Sequence, residues 1–570
     1  MVTRPFESKI QDIVYNVDVG LGLRLIKLGL YVLFLLSIMA LYTATQFRGL
    51  RDASAMDMAQ LGRNLALNGR YMTQVIRPAS MWYLIEHSAG QNPQMREHPD
   101  IVNPPVYPAL LSLGFRSLQG AFADDKSTRI YPPEQWVVVP VNLMFSLLTG
   151  LMIYLLAFRM FDVRVATLSM SLFFLSDATW GLAITGTGVS VAVAWCAVAF
   201  YLAVVTATPR PEGRATWPVW PALAGCALFS ALAFLTRYGT VVLVPALALY
   251  LGWSARQRKG WIVAAYVGLF LVFIAPWLAR NYMVSGGLLG LAPYTALNGA
   301  DPVLNNEFER TLAQNLKWGE VMTALQVKLL DGLASLYRGE VRTLGDGLVG
   351  AFFLTTFFYS FARDSARRLR WCVALGMVFM LGVAALFGKP TALLFNLFWP
   401  LVLLYGTAFF YILLDRMQIR VPLLRMAVTG AFVGLTALPL VLTLLPPRAG
   451  VPYPPYYPPY ISHVSRMLTP DELLCTDMPW ATAWYGQRTS LLLPATLDEF
   501  YEINDYTRRV SGIYFTTITR DRSYVNALLA GPYRTWFPIM EGRIPADFPL
   551  SVGFPLGNFD QLFLTDRQRW

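Results

Sequence analysis

The sequence predicts a polytopic α-helical membrane protein of about 11 transmembrane helices, ending in a C-terminal extracytoplasmic α/β domain. Three observations carry this. Of the 570 residues, 55% are hydrophobic and only 14% charged, where an ordinary soluble protein carries about 25% charged residues. Mean hydropathy is +0.45. The apolar runs are long and continuous instead of alternating, which excludes a membrane β-barrel together with soluble, fibrous and disordered chains.

Residues 1–26 are amphipathic and lack a cleavage-site pattern, so they read as a cytoplasmic N-terminal segment before an uncleaved anchor near 27–46. Further runs of spanning length lie near 135–157, 165–184, 187–207, 220–236, 239–254, 261–279, 347–363, 371–387, 391–414 and 423–445. With the N-terminus inside, the inner loops hold Arg159 and Arg164, Arg210 and Arg214, Arg256 to Lys259, Arg363 to Arg370, and Arg416 to Arg425. All five are short and basic, as the positive-inside rule requires. The same rule accounts for the net charge of +11. No nucleic-acid partner is expected, because no basic helix or aromatic RNA-binding motif accompanies that charge.

This topology places three large pieces outside: 47–134, 280–346 and the tail. The tail opens with a Pro/Tyr-rich spacer, 446–460, which reads as an extended arm. Beyond it, 461–570 alternates short apolar runs (Leu473–Cys475, Ser490–Leu493, Val510–Ile518) with helix-like stretches, the mark of a small α/β domain. The four cysteines make no disulfide framework and the three histidines make a multi-histidine metal site improbable.

The densest polar constellation lies in the first outer loop. From Ala55 the pattern is helical, with Asp57, Leu61 and Asn64 on one face and Met58, Ala59, Gly62 and Leu65 on another. A carboxylate just beyond a membrane helix is where a general base would meet a lipid-linked substrate. A solvated surface helix with charge pairs is the plainer alternative. Asn68-Gly69 stops the helix, Arg77-Pro78 follows, and prolines then pin the segment from His98 and Asp100 through Asn103 to Tyr107. The stretch Ala109–Phe115 reads as a helix along the membrane. For His98 and Asp100 a capping or turn role is the alternative.

The segments "MAQLGRNLALNGRYMT" and "PDIVNPPVYPALL", together with Leu235-Thr236-Arg237-Tyr238 and Pro276-Trp277-Leu278-Ala279-Arg280-Asn281-Tyr282, resemble the GT-C fold glycosyltransferases. More narrowly they are similar to the bacterial protein-mannosyltransferase and aminoarabinose-transferase group, glycosyltransferase family 39. The resemblance covers about residues 27–445, which it makes a GT-C-like transmembrane domain, and Thr476–Gly486 in the tail resembles the outer domain of bacterial relatives.

The resemblance implies an enzyme of the bacterial inner membrane. A sugar would move from a polyprenyl phosphate to an acceptor (lipid, glycan or protein) on the outer face, with inversion. A first-loop Asp would be the general base: Asp57, with Asp52 second. The leaving lipid phosphate needs cations, and Arg63, Arg77, Arg237, Arg280 and Lys389 are the candidates. His98, Asp100, Asn103 and Tyr107 would support the site or the acceptor. No cofactor is certain; a divalent metal stays open if Asp52, Asp57, Asp100 and His98 converge, and no residue is assigned as its ligand. Two departures stand out: Asn103 replaces the family's cation before the paired prolines, and Leu394–Pro400 lacks its late Arg-Tyr. They leave open an alternative, a non-catalytic structural or assembly subunit with a membrane-complex partner. A secondary transporter is disfavoured, since no inverted repeat is evident.

Overall fold

The computed structural model describes residues 21–87, 97–118, 130–207, 219–255, 259–298, 308–312, 318–341, 347–387, 393–446, 458–522, 524–531, 533–556 and 561–569. The chain is a multi-pass membrane protein. Among the described residues seven helices are long and apolar enough to cross a bilayer: Leu25–Gln46, Glu134–Met160, Val189–Ala207, Lys259–Ser285, Asp364–Phe387, Leu393–Arg416 and Pro422–Leu444. A helix pair, Val163–Phe174 and Asp177–Ile184, is apolar and long enough taken together but is bent by 53° at its break, so it makes an eighth crossing only as one broken span. Shorter apolar helices, Trp220–Phe234, Tyr238–Ser254 and Leu348–Phe358, occupy the other expected runs. The count of eleven is therefore reached only if the bent pair and all three short helices cross.

Val189–Ala207 and Leu393–Arg416 form the centre, with 72% and 83% of their apolar windows buried, whereas Leu25–Gln46 and Lys259–Ser285, at 17% each, line the periphery. The peripheral helices expose Leu28, Leu33, Leu271 and Val272, side chains that suit lipid. Three of the five loops expected on the inner side meet at one end, beside the end of the helix Tyr238–Ser254: Arg363 Nη1 donates to the Arg159 carbonyl at 3.0 Å and Arg368 Nη1 to that of Trp253 at 3.0 Å. Asp415 there pairs with Arg425 at 2.5 Å and Arg164 at 4.0 Å. Arg210, Arg214, Arg256 and Arg258 lie outside the described residues.

At the opposite end both large loops and the tail build one body. Helix α1 (Leu21–Gln46) leads into α2 (Ala53–Asn68), strand β1 (Val75–Ile76), α3 (Pro78–His87) and α4 (Val106–Ser117). The tail contributes β2 (Leu473–Thr476), helix α5 (Pro479–Gly486), β3 (Ser490–Leu492), β4 (Val510–Phe515), β5 (Val552–Leu556) and β6 (Gln561–Thr565). The sheet runs β1-β3-β2-β4-β6-β5. The first three pairings are parallel and the last two antiparallel. The expected α/β tail is thus present, and its edge strand comes from the first outer loop, more than four hundred residues earlier in the sequence. One apolar core joins Ile76 and Met81 of the first loop and Leu312 of the second to Leu491, Phe500 and Trp536 of the tail. Of the Pro/Tyr spacer, residues 447–457 lie outside the described residues, and Pro458 already begins a helix.

Candidate active site

Local sequence sets α2. Asp52 is its N-cap, its Oδ1 accepting from Ser54 N at 2.8 Å. Gly69 ends it in the left-handed region at φ +67°. Gly62 lets α4 approach so closely that a Cβ there would lie 2.9 Å from Leu111 Cβ. The helix is accordingly not a solvated surface helix: both faces read from the sequence are buried through Gly62.

Asp57, 3% exposed, lies in that packed turn. Its Oδ2 accepts from Arg77 Nη2 at 2.7 Å and Asn103 Nδ2 at 2.9 Å, and its Oδ1 from Gln60 Nε2 at 3.1 Å. Asn103 Nδ2 also reaches Asp100 Oδ2 at 3.2 Å, while Asp100 Oδ1 takes the backbone N–H groups of Val102 and Asn103 at 3.0 and 2.7 Å. Arg77 Nε donates to Glu309 Oε2 at 2.9 Å, so one guanidinium bridges two carboxylates from distant loops.

Burial by itself would lower the Arg77 pKa, but Asp57 and Glu309 outweigh it and hold the guanidinium charged, well above its usual range. Asp100 is pushed up by burial and by the neighbouring Asp57. His98 is pushed down to about 4 by burial and then by Arg77. Its Nε2 sits 2.9 Å from Ser80 Oγ, and that hydroxyl donates to the Arg77 carbonyl at 2.7 Å. The imidazole is therefore neutral at neutral pH with its proton on Nε2.

Other candidates fall into two groups. Arg237 and Arg280, both partly open to solvent, flank the carboxylate cluster. Arg237 donates through Nη2 to Ser54 Oγ at 2.7 Å and through Nε to the Thr187 carbonyl at 2.9 Å. Arg280 Nη1 reaches the Asp100 carbonyl at 2.5 Å, and its guanidinium lies over Trp277 at 5.0 Å. Tyr107, buried below, donates to the Gly186 carbonyl at 2.8 Å and accepts from Asn142 at 2.7 Å. Arg63 is turned elsewhere: it donates to the carbonyls of Ala483 and Trp484, both at 2.7 Å, and stacks on Trp484 at 4.9 Å, clasping α2 to the tail. Lys389 lies outside the described residues, and Leu394 and Phe395 are core residues.

Of the four residues considered for a divalent metal, Asp57 and Asp100 meet across the Asn103 amide, while Asp52 and His98 are engaged elsewhere. Asp52 caps a helix, His98 contacts Ser80, and Arg77 sits on the Asp57 oxygen. Among the described residues no group of three or more His, Cys, Asp or Glu could hold a metal ion. The donor set does not fit such an ion, and Arg77 is the cation beside Asp57.

Several residues of the site went unread in the sequence. Gln60, at i+3 from Asp57, is the one with a local signal. Tyr71 donates to the Asn103 and Pro104 carbonyls at 3.2 and 3.1 Å. Glu309 comes from the second outer loop. Glu134 accepts from Leu50 N at 3.1 Å and Trp484 Nε1 at 2.8 Å, joining the first loop, the membrane body and the tail.

Residues 119–279 match the family described as dolichyl-phosphate-mannose-protein mannosyltransferase. No curated protein sequence matches the chain. Among solved structures it is similar to the archaeal oligosaccharyltransferase AglB from Archaeoglobus fulgidus, in complex with an inhibitory peptide and a dolichol-phosphate. That likeness has a TM-score of 0.56 and 10% identity over 95% of this chain and 75% of that one. It is also similar to ArnT from Cupriavidus metallidurans bound to undecaprenyl phosphate, with a TM-score of 0.55 and 11% identity over 95% of this chain and 98% of that one.

Proposed function

We propose, starting from the GT-C fold that this chain shares with those structures, that it is an integral membrane glycosyltransferase. It moves a sugar from a polyprenyl-phosphate donor to an acceptor on the extracytoplasmic face. The observation that carries this is the pairing of a buried first-loop carboxylate, Asp57, with Arg77, while Arg237 and Arg280 stand on either side.

In this reading Asp57 accepts the proton of the acceptor's nucleophilic oxygen as that oxygen bonds to the anomeric carbon. The anomeric carbon–oxygen bond to phosphate breaks on the opposite face, so configuration inverts. The departing lipid phosphate takes the electron pair, and Arg237 and Arg280 stabilise its charge. Asn103 and Gln60 fix the carboxylate, and Arg77 fills the cationic role that the family places before the paired prolines. The outer loops and the tail face the extracytoplasmic side of a bacterial inner membrane, opposite the basic loops around Arg159, Asp415 and Arg425. In this reading 27–445 is the transmembrane domain and 461–570 the outer domain, to whose sheet the first loop adds β1.

Mass spectrometry of the protein purified in nanodiscs tests the reading. Asp57→Asn should accumulate an intact polyprenyl-phosphate sugar, which names the sugar. Only bulk phospholipid in both wild type and variant counts against transfer.

A further inference from the structure

We infer that Arg310 is a positioning residue through which the tail domain sets the strength of the cationic site at Arg77, an inference that rests on the transferase reading and deepens it.

Glu309 and Arg310 are consecutive residues of one short turn, Phe308–Arg310, and they serve opposite bodies. Glu309 pairs with Arg77 Nε at 2.9 Å, and Arg77 holds Asp57 through its other nitrogen. Arg310 is 2% exposed and reaches into the tail. Its Nε donates to the Leu493 carbonyl at 2.8 Å, its Nη2 to that of Pro494 at 3.0 Å, and its own carbonyl accepts from Ala495 N at 2.9 Å. Its guanidinium lies 4.2 Å from the centre of the Tyr533 ring. Leu312 N extends the seam by donating to Glu499 Oε1 at 2.9 Å.

Holding this turn against the tail does not of itself require a charge. A buried guanidinium is costly unless its donors are met, and here carbonyls and a ring meet them in a direction that a methionine would leave undefined. The loop at 493–495, next to β3, is thus linked to the active site by a chain of three contacts: carbonyls to Arg310, Glu309 to Arg77, Arg77 to Asp57. If the turn shifts with the tail, Glu309 leaves Arg77. One negative charge is then withdrawn from the site and Arg77 Nε becomes available. An anionic lipid phosphate is held more tightly, and it is held less tightly when Glu309 returns. The tail thereby tunes retention of the lipid phosphate from outside the membrane body.

The test uses the full chain in nanodiscs with undecaprenyl phosphate as probe. Glu309→Gln should tighten its Kd about tenfold, the effect of removing one charge at close range in a partly screened site. Arg310→Met should tighten it in the same direction, Arg310→Lys should lie between, and the double variant should bind no tighter than Glu309→Gln alone. Weakened or unchanged binding in Arg310→Met beside a tightened Glu309→Gln would make Arg310 a packing residue and overturn the coupling, as would additive effects. Should Arg310→Met fail to fold, Arg310→Lys carries the same comparison. Hydrogen exchange without lipid gives a second, independent reading: Arg310→Met or Arg310→Lys should speed exchange at 77–81 as well as at 308–312. Unchanged exchange at 77–81 sinks the coupling. If wild type does not bind the probe at all, the transferase reading fails, and the exchange result still decides whether Arg310 and Arg77 are linked.

Discussion

Asp57 and Arg77 are joined at 2.7 Å by side chains that arrive from two elements, the first turns of α2 and the residue just before α3. Both are nearly buried, so the pair is screened little by solvent. Removing the Arg77 guanidinium leaves Asp57 as an unmatched buried charge and costs about 3–5 kcal/mol, whereas Arg77 without Asp57 still pairs with Glu309. The conservative changes are therefore the informative ones.

Asp57→Asn keeps the shape of the site while removing its proton acceptor, and transfer should fall to background. Asp52→Asn should leave transfer close to wild type, because asparagine caps a helix as well as aspartate does. Asp52→Ala should lower stability by about 1 kcal/mol through the lost cap. A transfer assay beside thermal unfolding separates the two residues. Loss of transfer in Asp52→Asn with Asp57→Asn active would exchange their roles.

Arg237→Gln and Arg280→Gln should each weaken undecaprenyl-phosphate binding about tenfold or more, since a hydrogen bond to a charged group contributes about 1.5–3 kcal/mol. Arg63→Gln should leave that affinity unchanged and instead loosen the seam between α2 and α5, read as faster proteolysis of the tail. Lipid affinity that falls with Arg63 and not with Arg237 would return Arg63 to the phosphate site.

His98 makes stability pH-dependent. Its folded pKa, about 4, lies below the ordinary histidine value of 6.5, so the neutral form is the one the fold accepts. Stability is complete above 6.5 and is lost as pH falls towards 4. Between pH 7 and pH 5 the loss from this residue is about 2 kcal/mol. His98→Gln should flatten that part of the profile in thermal unfolding, and an unchanged slope would place the acid sensitivity elsewhere.

Glu134 accepts from Leu50 N and Trp484 Nε1 at once, and Glu134→Gln turns an NH2 group towards one of these donors. A destabilisation of about 1–3 kcal/mol is expected, concentrated in the docking of the tail. Limited proteolysis of the tail would report it, and a tail as stable as wild type would count against the role.

What was legible along the chain was what repeats over short distances. The apolar runs, the basic loops that alternate with them, the helix stop at Gly69 and the strand runs of the tail are all local patterns; seven of the runs become helices of spanning length among the described residues, and the helix stop and the three strand runs have their counterparts in the fold. Asp57, Asp100, Asn103, Arg237 and Arg280, which the fold brings near one another, stand in motifs. Glu309 and Arg310 stand in none, and Arg63 stands in one, yet its partners are backbone carbonyls of Ala483 and Trp484, which have no side-chain signature.

The amino-acid order thus settles that this chain is a helical membrane protein with polar work at one end, because hydrophobic length and charge sign act residue by residue on the solvent around them. Which carboxylate meets which guanidinium is a matter of three dimensions. The sheet takes its edge strand from the first outer loop, and the second loop delivers Glu309 to Arg77 across more than two hundred residues. Such pairings depend on how separate segments close on one another, and no periodicity along a single chain encodes them.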